Sequence, residues 1–205
     1  MIETHFKTTL SSITNDTALT ERFWQEVTTE YNKPDRHYHN LTHLNHLVNE
    51  LATIKDNIND WPVLVFSVAF HDIVYNVLQK DNEEKSADIA VERLSLLQPD
   101  NEAIEKCREQ ILATKNHAIS KCSDTNYFTD ADLSILGQDY DTYKKYTRQI
   151  RKEYRIYPDF LYRPGRRKVL KHFLEMPAIF KTNYFSEKYE QQARENMLKE
   201  LKELG

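Results

Sequence analysis

Glycine is nearly missing from this chain: Gly137, Gly165 and Gly205 are the only three in 205 residues. Long strand-turn-strand runs use glycine where the backbone must turn sharply, so an extended β architecture is not expected. Cysteine is as scarce. Cys107 and Cys122 stand far apart with no CxxC pattern, which excludes a disulfide framework and suits a reducing, cytoplasmic setting. Long apolar runs are lacking too. The longest, WPVLVFSVAF at 61–70, is about half of a bilayer span, so no membrane partner is expected. The start MIETHFKTTLSSI has neither the basic opening nor the apolar block of a signal peptide. A formal charge of −4 gives no general nucleic-acid signal, although a local basic patch could still hold an anionic ligand. No phosphate-cradling glycine loop, GxSxG elbow or dinucleotide fingerprint occurs.

What is present reads as helix. Leu41, Leu44, Leu47, Val48, Leu51 and Ile54 recur at threes and fours, one face of a helix over 41–55. Asp60 reads as an N-cap with Pro62 in the first turn of an apolar helix reaching Tyr75. Further amphipathic segments run over 83–97, from Asn101 behind an Asp100 cap to Thr114, and over 141–155, with a last helix after Ser186. QPDN at 98–101, SKCSDTN at 120–126 and YRPGRR at 162–167 read as short connectors, none of them a domain linker. The expectation is a single all-α domain, residues 1–205, of roughly eight helices.

Within that frame RHYHNLTHLNHL, residues 36–47, holds four of the eight histidines. Four residues apart on a helix, His39 and His43 would share a face; the plain alternative is a polar helix start facing water. His71-Asp72 interrupts the most apolar helix, where a buried ionisable pair needs a hydrogen bond, an ion pair or a metal. DADLSILG at 130–137 sets Asp130 and Asp132 in an apolar-flanked turn, where Asp130 could simply cap a helix. His43, His71, Asp72 and Asp132 together make a mixed nitrogen and oxygen set suited to a divalent cation rather than to a thiolate zinc site. Mn, Fe, Zn, Mg, Co and Ni are not distinguished by these ligands.

The order H…HD…D resembles the HD superfamily of metal-dependent phosphohydrolases, an all-helical fold. YHNLTH followed by ADLS is similar to the YHNxxH and ADLS motifs of the cyclic-nucleotide phosphodiesterases, a branch of that superfamily. Over nearly its whole length the chain resembles a bacterial group of small predicted HD phosphohydrolases, with RHYHN, FHDIVY, NEEKSA, DADLSILG, IRKEY and GRRKVL in that group's style. The resemblance implies an HD-type helical bundle with His43, His71, Asp72 and Asp132 as metal ligands. It also implies His39 as the acid that protonates the leaving oxygen, and Asn40 as a partner that orients His39 or a ligand. A second metal, as in some relatives, would draw on His117. The purine-reading pocket of the phosphodiesterases has no recognisable counterpart, which points away from cyclic nucleotides.

The expected activity is hydrolysis of a phosphoester or phosphoanhydride in a small phosphorylated substrate, a nucleotide or related molecule, by water that the metal activates. Asp72 or Asp132 would hold that water. Arg36, Lys115, His117, Arg151 and Arg166 are the candidate phosphate contacts, and Glu83 could reach a substrate hydroxyl, a cation or an arginine, or merely open a helix. Two rivals share the fold: a di-iron oxygenase, which needs more histidine ligands, and a nucleotide sensor without turnover. Nothing in the residues reads the substrate beyond its phosphate, nor the oligomeric state.

Overall fold

The computed structural model describes all 205 residues. It contains ten α-helices and two short 3-10 turns, and no strand. Contacts group the chain into two compact units, residues 1–129 and 130–205, with the border inside a helix.

The first unit is built around the helix that the sequence marked as most apolar. This helix, α4 (Trp61–Phe70), has nine of its ten residues buried. Asp60 opens it, its Oδ1 accepting from the Val63 amide at 3.1 Å. A helix apolar on every side needs neighbours on every side. It packs against α1 (Ile2–Ile13), α3 (Leu41–Ala52), α5 (Asn82–Ser95) and α6 (Asn101–Ala113). Phe6 of α1, Phe23 and Trp24 of α2 (Thr17–Tyr31), and Phe66 and Phe70 of α4 form one aromatic cluster with ring centroids 4.5–6.4 Å apart. Each fully buried ring contributes on the order of 1.5–3 kcal/mol, so this cluster anchors the frame that carries the histidines.

The helix α7 (Ser123–Leu133) is pinned to α4 at its start. The Asp124 carboxylate accepts from the backbone amides of Asn59 at 3.0 Å and Asp60 at 2.9 Å, the residues that lead into α4. α7 then continues unbroken past the unit border, so Asp130 and Asp132 lie on a helix and not in the turn that the sequence suggests. Polar residues crowd this helix, and its register comes from tertiary partners rather than from an apolar stripe.

In the second unit a 3-10 turn (Ser134–Gly137) packs on α10 (Asn183–Glu203) and α8 (Tyr140–Glu153), while α9 (Asp159–Glu175) packs on α10. The Asn196 amide donates to the carbonyls of Leu136 and Gln138, both at 2.8 Å, and so closes the turn onto α10. Below it, Arg166 grips Glu200 with two bonds of 2.8 and 2.9 Å, and the Tyr143 hydroxyl donates to the same carboxylate. Burial of the Tyr143 phenol, reinforced by the Glu200 charge, pushes its pKa far above the ordinary value.

The helices expected at 41–55, 83–97, 101–114 and 141–155 are found at 41–52, 82–95, 101–113 and 140–153, and the last begins at Asn183. Four further expectations are corrected. SKCSDTN is a connector only in its first half, since α7 begins at Ser123. α4 stops at Phe70 rather than Tyr75, because His71 turns its ring back to the helix end. YRPGRR is no connector: Pro164 and Gly165 lie inside α9, although a mid-helix proline costs about 3 kcal/mol. Burial of Leu170 and of the Arg166–Glu200 pair on the opposite face offsets that cost. The helix count is ten, not roughly eight; α1, α2, α7 and α9 are the four for which the sequence reading assigned no range.

Gly137 meets the Tyr189 backbone so closely that an added Cβ would sit 2.7 Å from its carbonyl oxygen and 2.9 Å from its Cα. Gly137→Ala should therefore lower unfolding free energy by about 1–3 kcal/mol, as overpacking does; an unchanged urea midpoint would contradict this contact.

Candidate metal centre

Three electron-pair donors converge at the C-terminal end of α4. His71 is buried, and its Nδ1 donates to the Val68 carbonyl at 2.9 Å. That bond places the ring proton on Nδ1 and leaves the Nε2 lone pair facing inward. His43, buried on the first turns of α3, brings its Nε2 to within 3.3 Å of His71 Nε2. The Asp72 Oδ2 lies 3.1 Å from His71 Nε2 and 4.0 Å from His43 Nε2. Such atoms need a proton or positive charge among them; a neutral His43 with its proton on Nε2 can donate to His71 Nε2, and positive charge is the other means. A second proton on His71 supplies it in one way, turning Nε2 into a donor toward Asp72. Burial alone would raise the Asp72 pKa, but the charge and hydrogen bond of His71, with the charges of His39 and His43, outweigh burial and hold the carboxyl well below its usual range.

A divalent cation would supply the same charge with more partners. One ligand atom from each of His43, His71 and Asp132 lies within 4.8 Å of the others, a set able to hold a metal ion. Phe128 of α7 meets His71 edge-on, with ring centroids 5.5 Å apart. The donors fit a borderline cation: two imidazole nitrogens and carboxylate oxygen, with no thiolate.

The turn after α4 is held by groups whose role sequence reasoning read differently or missed. Arg36 is buried and donates to three backbone carbonyls, His39 at 3.3 Å, Asp72 at 2.6 Å and Ile73 at 2.9 Å. Its guanidinium also lies over the Tyr31 ring at 4.7 Å. The expected phosphate contact is thus employed in tying the two histidine segments together. The Asp72 amide donates to the Tyr31 hydroxyl at 3.0 Å, and the Val74 amide to Ser86 Oγ at 3.1 Å. No sequence signal singles out Tyr31 or Ser86, because their partners are backbone atoms distant in the chain.

His39 is not on the helix with His43. Asn40 caps α3, accepting from the Thr42 amide at 2.8 Å and donating to the His37 carbonyl at 2.9 Å, so His39 sits in the turn before it. That turn still brings the rings together: His39 lies 5.6 Å from His43 and 4.3 Å from the Tyr75 ring. Asn40 accordingly fixes the backbone of the histidine turn rather than an imidazole ring.

Of the other candidates, Lys115 contacts the start of α5, donating to the Lys80 carbonyl at 2.7 Å and pairing with Glu84. Glu83 stands in the first turn of α5, 4.0 Å from that ammonium. His117 follows α6 with φ 52°, in the left-handed region. In the second unit, Arg151 bonds Asp159 and the carbonyls of Tyr154 and Tyr157, bracing the link from α8 to α9. Arg166 serves the buried Glu200 pair. Asp130, the neighbour of Asp132, acts as a cap: its carboxylate accepts from the Thr182 amide and hydroxyl, both at 2.8 Å, at the start of α10. Lys181 pairs with it at 3.2 Å, and burial lowers the lysine pKa against the pull of Asp130.

No family model, curated protein or solved structure matches the chain. No helix is long and apolar enough to cross a membrane.

Arg36→Lys keeps the charge but cannot span three carbonyls. It should weaken metal binding by roughly 10–100-fold, the usual cost of losing such support, with helix content unchanged; wild-type metal affinity in a calorimetric titration would dismiss the role.

Proposed function

We propose that this chain is a metal-dependent phosphohydrolase of the HD type, hydrolysing a phosphoester or phosphoanhydride in a small anionic substrate such as a nucleotide. The observation that carries the reading is the convergence of His43 Nε2, His71 Nε2 and Asp72 Oδ2 at 3.1–4.0 Å, with His43, His71 and Asp132 forming a set able to hold a metal ion. The order H…HD…D is the second support.

His43, His71, Asp72 and Asp132 would hold the cation. When bound, it lowers the pKa of a coordinated water toward neutrality and draws charge from a phosphoryl oxygen. The remaining chemistry belongs to side chains. Asp72 stays ionised through the neutral range, so it can accept a hydrogen bond from the attacking water and fix its direction. His39 is half-buried against Tyr75 and within electrostatic reach of Asp72. Its imidazole suits donation of a proton to the leaving oxygen near pH 7.

Metal analysis of wild type, His43→Ala and Asp132→Ala, with hydrolysis of a phosphoester and nucleotide panel under added Mn, tests the reading. The expected result is about one or two ions per chain in wild type, lost in both variants together with turnover. Wild type that stays metal-free and inactive after metals are restored would refute it, and oxygen consumption at about two irons per chain would transfer the site to oxidation.

His39→Ala should retain metal while its kcat falls about 10²–10⁴-fold, the range for a lost general acid. Equal loss of metal and rate would show that His39 is a ligand instead.

A further inference from the structure

We propose that the exposed face of α9 is a docking groove for single-stranded nucleic acid. The inference does not rest on the metal centre. Its first support is charge segregation. Residues 140–175 carry eleven Lys and Arg against four Asp and Glu, a formal +7, so the rest of the chain stands at −11 within the total of −4. A net charge that argues against polyanion binding therefore conceals one strongly basic segment.

The second support is shape. The outward face of α9 and Leu204 at the end of α10 line a groove of about 720 Å³. Arg163, Arg167 and Lys171 recur there every four residues, a step of about 6 Å along the helix. Lys168 stands in the adjacent row. Lys168 and Lys171 have no acidic partner within 4.0 Å, Arg163 has Asp159 at only 3.9 Å, and Arg167 bonds the terminal Gly205 carbonyl. The groove's two acids, Asp159 and Glu175, are the first and last residues of α9 and leave the middle positive.

The third support is Phe160, 74% exposed at the head of the same face. An apolar ring held in water beside a row of cations matches the way proteins bind single strands, with a basic groove for the backbone and an aromatic platform for a base. Other anions fit less well. Cations spread over about 12 Å, from Arg163 to Lys171, cannot converge on one compact phosphate. A membrane-surface helix separates its apolar face from its basic one, whereas Phe160, Pro164 and Leu204 alternate with the cations inside a concavity.

Fluorescence anisotropy of full-length protein with a short labelled oligouridylate tests the proposal. Saturable binding is expected, weakening steeply with salt. It should fall about tenfold or more in Arg163→Ala/Lys168→Ala/Lys171→Ala and several-fold in Phe160→Ala. All four positions face solvent, so the thermal midpoint and metal content should not change. Absent binding at low salt, or wild-type affinity in the triple variant, would overturn the proposal. Wild-type affinity in Phe160→Ala, full displacement by tripolyphosphate at matched charge, or binding to phosphatidylserine vesicles without binding to the strand would each overturn it in favour of a less specific anion site.

Discussion

Two imidazole nitrogens and a carboxylate oxygen meet where α4 ends, and their need for a proton or a cation between them sets the terms for everything around them. His71 cannot relieve it by changing tautomer, because its Nδ1 proton is committed to the Val68 carbonyl. The apolar helix beneath offers no donor. A neutral His43 with its proton on Nε2 can donate to His71 Nε2, while an imidazolium or a metal ion would also answer the Asp72 carboxylate. The chain meets the rest of the cost by fixing backbone: Arg36 and Tyr31 bind the carbonyls and amide of the 72–73 turn, so the donors have little freedom to move apart.

The same logic explains how the cations are distributed. A guanidinium carries several donors, and buried Arg36 and Arg166 and half-buried Arg151 direct theirs to carbonyls and carboxylates of neighbouring residues. All three were among the candidate phosphate contacts, and in the structure they make bonds that brace the scaffold. Cations without such duties are found on the solvent face of α9, where charge is gathered rather than neutralised. Residues read as equivalent from their type thus divide by burial into structural and ligand-accessible groups.

The first unit's helices were legible to the extent that local signals agreed. α3 shows an apolar stripe, α4 has the Asp60 cap and Pro62, and α6 has Asp100 before it. Where local signals conflicted, reading failed. DADLS looks like a turn because acidic residues dilute its apolar pattern, yet Asp124 pins α7 as helix and Asp130 finds its role only at the distant start of α10. Pro164-Gly165 looks like a break because both residues disfavour helix locally, and only the Arg166–Glu200 pair reveals why α9 runs through them.

The all-helical class was readable from residue type and short spacing, and three of the four residues named as a cation set, His43, His71 and Asp132, have ligand atoms within 4.8 Å of one another. Scarce glycine, periodic leucines and the H…HD…D order need no partner to be read. Only the folded chain shows that His39 approaches His43 from a turn rather than along a helix, and that Arg36 holds backbone. Each depends on atoms brought together from far along the chain, and hydrogen bonds to backbone leave no mark in residue type.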